Sequence, residues 1–79
     1  MHRKPVKTKR LIKVLQKLGF GIAMKNGSHT IFRNKDTGLV VTVPQDSDEI
    51  PLVFLRSIER QIGNFNIASD EQLQKLLYS

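Results

Sequence analysis

Between Phe20 and Val43 the apolar and β-branched residues fall into three short runs, and no other feature of the chain constrains its fold as strongly. Phe20 to Lys25, Ser28 to Arg33 and Leu39 to Val43 are each of strand length. The turn formers Asn26-Gly27 and Asn34-Lys35-Asp36-Thr37-Gly38 separate them. Runs this short with tight connections pair as hairpins, so they predict an antiparallel three-stranded meander. Asn-Gly suits a two-residue turn because both central positions need positive φ. Alternation around that turn puts Phe20, Ile22, Met24, His29, Ile31 and Arg33 on one face. Gly21, Ala23, Lys25, Ser28, Thr30 and Phe32 take the other. The first set is the more apolar and is expected beneath the helices, with His29 half covered at the rim of the core. A one-residue change of register would carry His29 to the open face.

Helical periodicity brackets the meander. Thr8 is a candidate N-cap, Leu11, Ile12, Leu15 and Leu18 follow at helical spacing, and Gly19 stands where a helix C′ residue belongs. Lys9, Arg10, Lys13, Gln16 and Lys17 form the opposite, basic face. Pro51 opens a second helix to about Ile62, closed by Gly63, with Leu52, Leu55, Ile58 and Ile62 inward. Ser69-Asp70-Glu71-Gln72 is a capping-box pattern ahead of a short third helix carrying Leu73, Leu76 and Leu77. The expected fold is α+β: a two-layer α-β-β-β-α domain with a short extra C-terminal helix, one sheet face covered and the other open. At 79 residues the chain makes one domain, 1–79, with residues 1–7 expected as a basic tail.

Charge narrows the function classes. Ten of the thirteen Lys and Arg residues lie between Arg3 and Lys35, and the first acidic residue is Asp36. So lopsided a field attracts polyanions, with nucleic acid ahead of an anionic membrane surface. No cysteine is present, which excludes disulfides, thiolate nucleophiles and cysteine-based zinc sites. No apolar run reaches the roughly 18 residues of a membrane span, and the expectation is a cytoplasmic protein with no membrane partner.

Few residues carry chemistry. His2 falls in the basic tail, whereas His29 lies beside a tight turn with Lys25 and Ser28 near it and Arg33 along the strand. That setting is suited to meet phosphate, though a histidine so placed can also be a structural rim residue. Asp46, Asp48 and Glu49 precede a helix and read as dipole compensation rather than a cation site, so no metal and no cofactor is expected.

Several motifs then occur in order. Leu18-Gly19-Phe20, Gly27-Ser28-His29-Thr30-Ile31-Phe32-Arg33, Val41-Thr42-Val43-Pro44, Glu49-Ile50-Pro51 and Leu55-Arg56-Ser57-Ile58 together resemble the HicA family of toxin messenger-RNA interferases along nearly the whole chain. The resemblance implies a fold like that of double-stranded-RNA-binding domains, RNA cleavage for which His29 is essential, and a HicB antitoxin as partner. The chain departs from the pattern twice. Thr30 stands where many members have a second histidine, and Val53-Phe54 stands where members often have Gly-Thr.

The corresponding expectation is a metal-independent endoribonuclease, monomeric or weakly dimeric. His29 would transfer a proton, Lys25 and Arg33 would hold phosphate, and Gly27, Ser28 and Thr30 would line the site. Lys9, Arg10 and Lys13 would add RNA contacts. The alternatives are a non-catalytic RNA-binding module using the same basic helix and sheet, and a domain whose positive half docks on an acidic protein.

Overall fold

The computed structural model describes residues 5–78, and His2, like the rest of 1–4, lies outside the described residues. The order is α1 (Thr8–Lys17), β1 (Phe20–Asn26), β2 (His29–Asn34), β3 (Val40–Pro44), α2 (Leu52–Asn64) and α3 (Asp70–Tyr78). The strands form one antiparallel sheet in sequence order. The α+β class, the meander and the three helices are therefore as the residue pattern indicates.

The core is built from one side of every element. Leu11, Val14 and Leu15 of α1, Leu55, Ile58 and Ile62 of α2, and Leu73 and Leu77 of α3 pack with Phe20, Phe32, Val41 and Val43 of the sheet. Leu52, expected inward, is exposed in the first turn of α2. Gly63 does not close α2, which continues to Asn64; the chain reverses at Asn66, which has positive φ.

The ends of α1 differ in how closely they follow expectation. Thr8 is not the N-cap but the first helical residue, with Lys7 in the cap position. Its backbone N–H donates to Asp48 O and its hydroxyl to Ser47 O at 2.7 Å, so the loop before α2 supplies the capping acceptors. Gly19 follows Leu18 with φ of +93°, as a helix C′ glycine should. Of the expected tail, residues 5–7 belong to the fold. Val6 is buried and accepts a hydrogen bond from Ile50 N–H, and Lys7 bridges to Glu49. Ser69 and Gln72 form the reciprocal capping box that opens α3.

The sheet departs from strict alternation at one place, and that place decides which residues face water. The turn between β1 and β2 is Gly27-Ser28 rather than Asn26-Gly27, with Asn26 opposite His29, Lys25 opposite Thr30 and Met24 opposite Ile31. A β-bulge at Ala23 then resets the register, so that Ile22 faces Phe32, Gly21 faces Arg33 and Phe20 faces Asn34. The bulge puts Phe20 and Phe32 on the same side, which strict alternation forbids. Both aromatic rings pack beneath the helices, and the expected assignment of β2 is reversed: Thr30, Phe32 and Asn34 are buried, while His29, Ile31 and Arg33 face outward.

Candidate functional site

The turn at Gly27-Ser28 is set by its neighbours as much as by its own residues. Gly27 has φ of +60°, where a side chain is strained, and its position is otherwise open. Ser28 O accepts a hydrogen bond from the backbone N–H of Gln45, just beyond β3. Thr30 Oγ1 donates to Gln45 Oε1 at 2.6 Å. Gln45, read from the sequence only as part of a polar loop, therefore fastens the hairpin turn to the end of β3.

His29 starts β2 on the open face and is exposed, not half covered as expected. Ser28 Oγ lies 3.5 Å from His29 Nδ1, at the outer limit of a hydrogen bond whose direction depends on the tautomer. Across the sheet His29 faces Pro44, which contributes no N–H. Among the described residues Nε2 has no hydrogen-bond partner. An imidazole has one nitrogen that can accept a proton and one that can donate it.

The other expected site residues divide between the two faces. Arg33 shares the open face with His29 but is four residues further along β2, about 13 Å at the usual strand rise. Lys25 is exposed at the end of β1, yet its register opposite Thr30 puts it on the other face. The expected pair of Lys25 and Arg33 flanking His29 is therefore not formed. Thr30 is turned inward, buried, with its hydroxyl committed to Gln45. Lys9, Arg10 and Lys13 are exposed on α1, in the helical layer.

The positive field is also less continuous than the order of residues implies. Asp46, Asp48 and Glu49 lie between the end of β3 and α2, and the loop holding them is bonded both to the Gly27-Ser28 turn and to the start of α1. Lys7 Nζ is 2.7 Å from Asp48 and 3.7 Å from Glu49. The Lys7 hydrogen bond and charge hold the Asp48 carboxyl below its ordinary range, and the same contact raises the Lys7 ammonium. Among the described residues no group of three or more His, Asp or Glu side chains is arranged to hold a metal ion. No helix among them is long and apolar enough to cross a membrane.

Asn34 was legible only as a turn residue, but it is a structural hub. Its Oδ1 accepts from Asp36 N–H, Thr37 N–H and the Thr37 hydroxyl, while its Nδ2 donates to Leu18 O at 2.9 Å. One buried amide thus joins the β2–β3 turn to the end of α1.

Fold and site together describe a small α+β domain that turns an accessible histidine and an arginine outward from the open face of a three-stranded sheet. The family model for the HicA toxin of bacterial toxin-antitoxin systems matches residues 8–63, from the first residue of α1 through almost all of α2. The chain belongs to the HicA toxin family. No curated protein and no solved structure matches it.

Proposed function

We propose that this toxin is a metal-independent endoribonuclease of messenger RNA, with His29 as its catalytic residue, and that a HicB-type antitoxin neutralises it. The observation that carries this reading is the position of His29, accessible at a tight glycine turn on the open face, within the segment matched to the toxin family.

RNA supplies its own nucleophile. A base takes the proton of a 2′-hydroxyl, that oxygen attacks the adjacent phosphorus, and the 5′ oxygen leaves with a proton. The products are a 2′,3′-cyclic phosphate and a 5′-hydroxyl end. His29 serves as the proton-transfer group. The Gly27 amide and Ser28 hydroxyl hydrogen-bond the phosphoryl oxygens as charge accumulates. Arg33 meets a phosphate further along the strand, and Lys25 with Lys9, Arg10 and Lys13 contributes long-range attraction. Solvent water completes the second proton transfer, so turnover is slow.

A second reading, an RNA-binding module without catalysis, is favoured by one observation: Thr30, next to His29, faces inward and offers no second proton carrier. The two readings part on a single assay. With chelator present, the purified protein should convert a labelled RNA into fragments ending in cyclic phosphate. It should fail on the same RNA carrying 2′-deoxyribose at the cleaved position. Salt-sensitive binding with no fragments supports the module instead.

A further inference from the structure

Along the free edge of β1 runs an open groove of about 620 Å³, within the size range of small-ligand sites. Gln16, Gly21, Ile22, Arg33 and Lys35 are among the residues that line it. Resting on the ribonuclease reading, we infer that this groove is a nucleotide subsite, holding a phosphate and its attached sugar or base at a distance from the bond cleaved at His29.

Four observations support it. Arg33 lies opposite Gly21 in the register, and the space a side chain would take at Gly21 is open. Among the described residues neither Arg33 nor Lys35 forms an ion pair, and no carboxylate lines the groove, not even the adjacent Asp36. Two unneutralised cations lining an open groove suit an anion with a bulky substituent. Ile22, more than half exposed, offers an apolar surface for a ribose or base, and the Gln16 amide can donate and accept at a base edge. Finally, the bulge at Ala23 interrupts the free edge of β1, which disfavours the added strand of a protein partner. The spacing gives the subsite its role. About 13 Å from His29 to Arg33 corresponds to about four nucleotides of stacked strand, fewer if the bases are splayed. The groove therefore reads or anchors RNA beyond the scissile step and lets short substrates escape.

Gly21 permits a direct test, because a Cβ there meets nothing within 4 Å and its φ is ordinary. Gly21→Val should fill the groove without disturbing the fold, as thermal melting will verify. Affinity for a fluorescent 2′-O-methyl RNA decamer, which cannot be cleaved, is measured by anisotropy over a range of salt. Gly21→Val should weaken binding roughly tenfold. The double variant Arg33→Gln, Lys35→Gln should lower the slope of log affinity against log salt by about 1.4, the loss of two single-strand phosphate contacts. Decamer binding by both variants at the parent's affinity and salt slope overturns the subsite. Because the probe is uncleavable, the result stands apart from catalysis. Weakened binding in variants of a parent that never cuts RNA keeps the subsite and removes the nuclease. Unchanged binding in variants of a parent that cuts does the opposite.

Discussion

The two sides of β2 are made from alternate residues of one six-residue strand, and they have different physical tasks. Thr30, Phe32 and Asn34 point into the helical layer, where each is almost wholly buried and each polar atom described has a partner. His29, Ile31 and Arg33 point the other way, with His29 and Arg33 in solvent. Burial on the first side makes every contact a matter of stability, because packing and unpaired polar groups are costly in a small core. Exposure on the second side leaves charge and hydrogen-bonding capacity unspent, which is what a ligand requires. Substitutions on the covered side should therefore change melting more than chemistry, and those on the open side the reverse.

That contrast can be broken most directly at Phe32. Phe32→Ala should cost about 3–5 kcal/mol, enough to leave so small a domain largely unfolded, as a urea or thermal melt will show. A stable variant would mean that the covered side is wrongly assigned. Asn34→Ala orphans Leu18 O and the N–H groups of Asp36 and Thr37, and should cost about 1–3 kcal/mol in the same melt. Thr30→Val keeps the shape and removes the hydroxyl, leaving Gln45 Oε1 free to rotate toward water. A loss of about 1 kcal/mol with unchanged RNA affinity is expected. If affinity falls while stability holds, Thr30 belongs to the RNA surface after all.

The smallest effect concerns the exposed contact that ties Lys7 to the loop before α2. Asp48 titrates below its ordinary value of 3.8, so its contribution is present above that pH and is lost as pH falls through the lowered value. Lys7 titrates above 10.5, so its contribution is present below that pH and is lost as pH rises through the raised value. The melting difference between the parent and Lys7→Gln should therefore be greatest between these limits, small throughout, and smaller still in high salt.

Element order was legible because periodicity and turn residues are local signals. The capping box at Ser69, the glycine after α1 and the open sheet face all follow from neighbours in the chain. The identity of that face was not legible, because it depends on the bulge at Ala23, a residue with no distinctive local signal. What forces the bulge is tertiary: Phe20 and Phe32 both gain by packing under the helices, and an extra residue in β1 lets them do so. The same local limit concealed Gln45 and Asn34, whose partners lie 15 and 16 residues away. His29 was found from the residues beside it, but its exposure depended on register. Lys25 and Arg33 are near His29 along the chain, but the pleat puts Lys25 on the other face and four residues of strand carry Arg33 about 13 Å away.

The central claim is that the open side of β2 carries chemistry through His29. The most direct measurement is the rate of fragment formation from a labelled single-stranded RNA, with chelator present, for the parent and for His29→Ala. The account predicts a rate about 10² to 10⁴ lower in the variant, with melting temperature and salt-dependent RNA affinity retained. Cleavage by His29→Ala at the parent's rate would contradict it.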